Sequence, residues 1–406
     1  MYESKFSGNF KNIPPSFIRE ILSVANQTNI ISFAGGLPNP DFFPINQLAE
    51  SACHVFREKG KSVLQYAGSQ GYFPLCEWIA NRHNTKYGLQ IKPENIVITG
   101  GSQQTLDITS KMFINKGDSI IVERPTYLGA IQAMSSYLPE FLTAELYDDG
   151  PDMEQIEKHC IEKDPRFMYS IPNFQNPSGV CYNLEKRKSL SEILKKYSLF
   201  LLEDDPYNEM RFNGNDLPPV YSFAPEYVFW TGSFSKMVAP GLRLGWVVLP
   251  DGLAPYFVRA KQSTDLHSNN LSQYFLYHYF TNNDIDEHLK KVRQVYKTQC
   301  DFMKYAIKKY LPEDVKMTNP DGGMFIWLTL PSHISSEELI KGCMKQGVAF
   351  VPGKSFFTDG SGTRHIRMNF TNSTNETIEK GILIMSKELR KLYKANEPLL
   401  VEEVFQ

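Results

Sequence analysis

Lys236 closes the run Thr231-Gly-Ser-Phe-Ser-Lys236, directly after the apolar segment YVFW, and Arg243 follows in PGLRLGW. A lysine at the end of a buried strand loses water, which favours its neutral amine, the form that attacks an aldehyde. Ser233, Ser235 and Arg243 add hydroxyl donors and a planar cation, groups suited to a phosphate. A Ser/Gly loop ending in lysine is, alone, ordinary surface chemistry. Between two apolar segments it sits where open α/β sheets place their ligands.

Three further runs come after strand-like segments. Gly100-Gly101-Ser102-Gln103 succeeds ENIVIT and opens a helix, whose first N–H groups attract an anion; the plain alternative is a turn with a serine cap. Glu203-Asp204-Asp205-Pro206-Tyr207 ends LFLL with adjacent carboxylates. One of them, if ionised beside a pyridinium nitrogen, would keep that ring protonated and electron-withdrawing, and Tyr207 would reach the ring's phenolic oxygen. The plain alternative is a strand end turning to solvent. Pro172-Asn173-Phe174-Gln175-Asn176-Pro177-Ser178-Gly179 succeeds FMYSI and offers Asn176 to the same oxygen, or is merely an Asn-Pro turn. Each signal is weak, but the four match different parts of one cofactor: aldehyde, phosphate, ring nitrogen and phenolic oxygen.

The order GGSQQ, PTY, PNFQNPSG, EDDPY, TGSFSK and GLRLGW resembles the fold type I, class I/II aminotransferases over nearly the whole chain. The opening ISFAGGLPNPDFFP is most similar to the 2-aminoadipate and kynurenine aminotransferase branch. The resemblance implies an aspartate-aminotransferase-like fold, pyridoxal 5′-phosphate (PLP) as cofactor, and a homodimer with shared active sites. Lys236 matches the Schiff-base lysine that also shuttles a proton, Asp204 the partner of the pyridine nitrogen, chosen over Asp205 by its spacing from Tyr207. Tyr207 and Asn176 match the groups on the phenolic oxygen, and Tyr127 the ring stacked on the cofactor. Gly101, Ser102, Gln103, Ser233, Ser235 and Arg243 match the phosphate cup, with Tyr66 reaching the neighbouring subunit's phosphate. Arg367 in HIRMNF matches the arginine that forks onto the substrate α-carboxylate, with Arg364 the nearby surface decoy. Gly36 resembles a backbone position beside the substrate, and Arg19 an arginine that reads acidic side chains from an N-terminal helix. Ser178 replaces the more usual threonine, and Gln175 has no assigned role.

The supporting elements are legible as period. ENIVITG, DSIIVE, FLTAEL, RFMYSIP, LFLLEDD, YVFWTGS and LGWVVLP read as buried strands, with helical period in QQTLDITSKMFI, LGAIQAMSSYL and LEKRKSLSEILKKY between them. This alternation predicts an α/β large domain over residues 46–280, with a mostly parallel seven-stranded sheet flanked by helices. From Asp284 a long charged helix and the strands GGMFIWLTL, GVAFVPG and RHIRMNF predict a smaller α+β domain, 281–406, joined by the arm 1–45 with a short helix around Arg19.

The formal charge of −2 creates no field for nucleic acid or an anionic membrane. No run is apolar enough to span a bilayer and the start lacks a signal peptide, so the cytoplasm is expected. Six scattered cysteines show no CxxC pair and no metal spacing; they read as reduced packing thiols. The expected reaction is ping-pong transamination between an L-amino acid (aromatic, 2-aminoadipate or branched-chain type) and a 2-oxo acid, with 2-oxoglutarate the acceptor by analogy. A PLP-dependent C–S lyase on the same fold is one rival. A PLP-sensing regulator is the other, disfavoured because only about 30 residues precede ISFAGG, too few for a winged helix.

Overall fold

The computed structural model describes residues 2–14 and 30–396. Arg19, its expected helix, and the tail from 397 onward lie outside the described residues. A short strand, β1 (Ile31–Ser32), precedes eight strands that form one sheet: β2 (Ile96–Thr99), β3 (Ser119–Arg124), β4 (Glu140–Tyr147), β5 (Gly150–Pro151), β6 (Phe167–Ser170), β7 (Phe200–Asp204), β8 (Val228–Ser233) and β9 (Gly245–Val248). Their order is β2-β9-β8-β7-β6-β3-β4-β5. The pairs β3·β4, β3·β6, β6·β7 and β7·β8 are parallel, while β9 runs antiparallel to both β8 and β2. Seven of these strands are the expected ones. The eighth, β5, is a two-residue return onto β4, too short for any periodicity to announce.

Strands β2, β6 and β9 are buried at every position, as expected where helices cover both faces of a sheet. The helices Ser102–Phe113, Leu128–Ser135 and Leu184–Tyr197 coincide with the predicted ones, the last capped by Asn183, whose side chain accepts from the Lys186 N–H. The helix Asn270–Asn282 was not foreseen. Its sequence, NLSQYFLYHYFTN, is aromatic around most of its circumference and shows no single apolar stripe.

Strand direction decides where the loops gather. Because β9 is antiparallel to both neighbours, β2 runs with β8, β7, β6, β3 and β4, so six strands end on the same edge. Gly100-Gly101, Pro125–Tyr127, the 171–180 loop, Asp205–Tyr207 and Ser233–Lys236 all leave from that edge.

A second sheet has the order β10-β11-β14-β13, formed by β10 (Lys316–Met317), β11 (Phe325–Thr329), β13 (Val351–Pro352) and β14 (His365–Asn369). In its register Arg367 lies opposite both Trp327 and Val351. The short β12 (Val348–Ala349) pairs in parallel with β1, which brings the segment after Ser32 beside this sheet. The long helix occupies Ile285–Tyr310, started by Asp284, whose carboxylate accepts from the N–H groups of Asp286 and Glu287.

The turn after β7 is tied down by an ion cluster. Glu209, 2% exposed, receives Arg82 Nε at 2.9 Å, Lys86 Nζ at 3.2 Å and Arg293 Nη2 at 3.1 Å, and its backbone carbonyl accepts Arg293 Nε at 2.7 Å. Burial opposes ionisation of this carboxyl, but Lys86 and Arg82 outweigh it and hold it down to about 2. Glu209→Ala would remove the buried anion that three cations share, although Arg82 keeps Asp286 and Lys86 keeps Asp216, so unfolding by urea at neutral pH should show a loss at the low end of about 3–5 kcal/mol. The sign with pH comes from a depressed folded pKa. The contribution is complete above the ordinary 4.5 and is lost as pH falls towards 2, so the gap between variant and parent should narrow across that window.

Candidate active site

The loops at the common sheet edge, together with β14, enclose a cavity of about 270 Å³. Gly36, Gly101, Ser102, Gln103, Tyr127, Asn176, Asp204, Tyr207, Ser233, Ser235, Lys236, Arg243 and Arg367 line it, with Ile171 and Pro206. Two sequence-predicted residues are not among them. Tyr66 is 79% exposed and stands edge-on to His267 at 5.9 Å in a separate surface cleft, and Arg19 lies outside the described residues.

Lys236 is half-buried and its Nζ donates to the Gly36 carbonyl at 2.7 Å. Burial, followed by the nearby Arg367 and Arg243 charges, pushes its pKa down to about 8. A depressed amine pKa means that the neutral form dominates above 8. Capture of added PLP by cofactor-free protein should therefore slow about tenfold for each pH unit below 8 and level off above it, as read by absorbance in a stopped-flow mixer.

Arg367 is buried to 2% exposure. Its Nη1 donates to Asn176 Oδ1 at 2.8 Å and its Nη2 to the Ala34 carbonyl at 2.7 Å, while Nε has no hydrogen-bond partner among the described residues. Two rings hold it in place, with Phe325 and Phe356 centred 4.4 and 5.1 Å from the guanidinium carbon. No carboxylate faces it among the described residues, and burial lowers its pKa to about 10. Arg364, just before the strand, is exposed.

The three adjacent acids are all buried rather than turned to solvent, and each has a different environment. Glu203 accepts the backbone N–H groups of Val220 and Tyr221, both at 2.9 Å. Asp205 accepts Asn173 Nδ2 at 2.8 Å and the Trp230 indole N–H at 3.1 Å, on the side away from the cavity. Asp204 faces the cavity. Its Oδ2 accepts from Tyr169, its Oδ1 has no well-formed hydrogen bond, and burial raises its pKa to about 7 despite the Tyr169 and Ser102 hydroxyls nearby. Strand alternation explains the split, since Asp204 points opposite to its two neighbours.

Asn176 links two sides of the site: its Nδ2 donates to the Tyr207 hydroxyl at 3.4 Å while its Oδ1 serves Arg367. Its loop is held by residues that the sequence did not single out. Gln175 donates to Glu123 at 2.9 Å and to the Pro125 carbonyl at 2.7 Å, and its Oε1 accepts both the backbone N–H and the hydroxyl of Ser178. Arg187, fully buried, gives its guanidinium to the carbonyls of Tyr182, Pro218 and Pro172 and to Asn173. Gln175 thus has a structural role, one that only the positions of Glu123 and Pro125 in space reveal.

At the remaining corner the cap is a glycine, not the serine of the plain alternative. Gly101, with φ +92°, is the N-cap, and Ser102 is the first helical residue. A left-handed φ there favours glycine, and a Cβ would also come within 3.1 Å of Arg243. Gln103 turns its side chain to the Gly129 carbonyl at 2.8 Å, so only its backbone N–H remains in the open first turn. Arg243 donates to the Gly100 carbonyl at 3.1 Å. Ser233 Oγ accepts from the Ser235 N–H at 3.2 Å, which folds the loop before Lys236.

Three cations, Lys236, Arg243 and Arg367, therefore line one cavity with one carboxylate, Asp204, and that cavity holds an unpartnered buried carboxylate oxygen and an unpartnered buried guanidinium N–H among the described residues. That inventory suits a ligand pair bearing a phosphate, a cationic ring nitrogen and a carboxylate. Fold and donor set together fit the class of enzymes that use PLP on amines.

Residues 28–383 match the model of the aminotransferase class I and II family. The chain is 37% identical to aromatic-amino-acid aminotransferase 1 of Thermococcus litoralis, over 97% of this chain and 96% of that protein. It is 38% identical to 2-aminoadipate transaminase of Thermus thermophilus, over 96% and 98%. The crystal structure of α-aminoadipate aminotransferase from Thermus thermophilus, complexed with N-(5′-phosphopyridoxyl)-L-leucine, superposes with a TM-score of 0.91 at 37% identity, covering 97% of this chain and 100% of that one. The chain belongs to the class I and II aminotransferases, and the protein is a PLP-dependent aminotransferase.

Proposed function

We propose that the protein moves the amino group of an L-amino acid of the aromatic, 2-aminoadipate or branched-chain type to a 2-oxo acid, 2-oxoglutarate being the natural acceptor, by a ping-pong sequence. The observation that carries this reading is the pairing across one cavity of a depressed-pKa amine, Lys236, with a buried guanidinium, Arg367, that lacks a counter-anion among the described residues. PLP supplies the electron sink when bound. Lys236 would hold the cofactor and carry the proton removed from the substrate α-carbon. Asp204 would face the ring nitrogen, and Tyr207 and Asn176 the phenolic oxygen, with Tyr127 against the ring face. The first-turn amides after Gly101, with Ser102, Gln103, Ser233, Ser235 and Arg243, would receive the phosphate. Arg367 would fork onto the substrate carboxylate and so fix which α-bond is broken.

The names of the relatives, an aromatic-amino-acid and a 2-aminoadipate enzyme, support those donor classes. Exposed Tyr66 fits a group that completes a neighbouring subunit's phosphate site, hence a homodimer; the cytoplasm is the proposed location, and 46–280 the proposed cofactor-binding domain. No helix among the described residues is long and apolar enough to cross a membrane. L-Glutamate added alone to PLP-loaded protein should convert the cofactor to its pyridoxamine form and release one equivalent of 2-oxoglutarate. Release of pyruvate and ammonia from cysteine-type substrates, with no such conversion, would replace this reading with a lyase. A donor panel of 2-aminoadipate, kynurenine, phenylalanine, leucine and aspartate ranks the substrates.

A further inference from the structure

Tyr169 lies on β6 opposite Leu202 of β7, and Leu202 and Asp204 share a face of that strand by its period of two. The tyrosine is fully buried, and its hydroxyl reaches along the face to donate to Asp204 Oδ2 at 3.0 Å. A phenol in an apolar layer needs a partner. Asp204, 2% exposed, has two oxygens to place, and Oδ1 has no well-formed partner among the described residues.

We propose that Tyr169 is a positioning residue of the site: its hydroxyl claims Oδ2 of Asp204 and leaves Oδ1 as the single oxygen presented to the cavity and to the cofactor's ring nitrogen. The proposal rests on the reading that Asp204 faces that nitrogen. A hydrogen bond donated to a carboxylate favours its ionised form and makes it a poorer competitor for the ring proton. Tyr169 therefore keeps the proton on the ring, where it draws electrons from the reacting carbon. Other groups act on the same carboxyl. Asp205 and Glu123 oppose its ionisation, the Ser102 hydroxyl favours it, and Tyr207 and Tyr127 lie on the cavity side. Among these, Tyr169 alone completes a side-chain hydrogen bond to Asp204 of good geometry.

Tyr169→Phe keeps the ring and its packing and deletes only the donor. In PLP-loaded protein the glutamate half-reaction should slow about 10- to 100-fold, the worth of one hydrogen bond to a charged group. The KM for glutamate should stay within about twofold, because Arg367 is untouched. With less positive charge on the ring, the Lys236 adduct should keep its proton to higher pH, so the midpoint of the cofactor's absorbance change should rise by about one pH unit. A purely structural tyrosine would not move that midpoint. If the parent protein forms no adduct on Lys236, the functional reading falls and this proposal with it. If the parent behaves as expected and Tyr169→Phe matches it in rate and midpoint, only the role of Tyr169 falls. Should the variant fail to fold, a crystal structure of the parent with PLP decides. Tyr169 on Oδ2 with the ring nitrogen on Oδ1 supports the proposal, and Tyr169 turned away from Asp204 overturns it.

Discussion

Lys236→Ala is expected to cut turnover by at least about ten-thousand-fold, because one side chain is asked for two tasks, capture of the cofactor and proton transfer at the substrate. Its position supports both. The amine ends a loop at the strand edge, has a depressed pKa of about 8, and is held by nothing firmer than the Gly36 carbonyl among the described residues. The cofactor should still bind, since Arg243 and the turn after Gly101 are unaltered, but borohydride should leave no label on the variant. Added methylamine should restore a small part of the rate by replacing the missing base. Lys236→Arg, which keeps a charge but no neutral amine at working pH, should be as inactive as the alanine variant. Turnover within tenfold of the parent in either variant would remove Lys236 from the chemistry.

Arg367→Ala should lower kcat/KM by about 30- to 5000-fold, the equivalent of about 2–5 kcal/mol for truncating one partner of a buried charge pair. The loss should sit mainly in KM for both amino and oxo acids, since each carries the carboxylate. Arg367→Lys should recover little, for an ammonium cannot serve Asn176 and a carboxylate with the same planar fork, nor sit flat between Phe325 and Phe356. Arg364→Ala should resemble the parent in steady-state kinetics, because that side chain is exposed. Equal losses at both arginines would overturn the assignment.

Arg367 came only from the family resemblance, whereas Lys236 was legible because it ends a segment with its own local pattern, a strand joined to a loop of distinctive composition. The same holds for the seven main strands, whose apolar runs are bounded by turns. What was illegible is the layer behind. Glu123 and Gln175 are 52 positions apart, Arg82 and Glu209 127 apart, and Arg367 and Ala34 333 apart, so no local pattern could pair them. Tyr169 read as one more apolar strand residue because its hydroxyl acts across to the next strand. Phe325 read only as part of the strand GGMFIWLTL, although its ring lies under the Arg367 guanidinium. Periodicity reports which face is buried, and says nothing about which polar atom waits on it.

Two carbonyl oxygens of one short strip, those of Ala34 and Gly36, meet the Arg367 guanidinium and the Lys236 ammonium. With a cationic donor, each of these hydrogen bonds is charge-assisted and short, 2.7 Å in both cases. One backbone strip thus carries two cations at once, and a change in its course would displace the Lys236 and Arg367 side chains together.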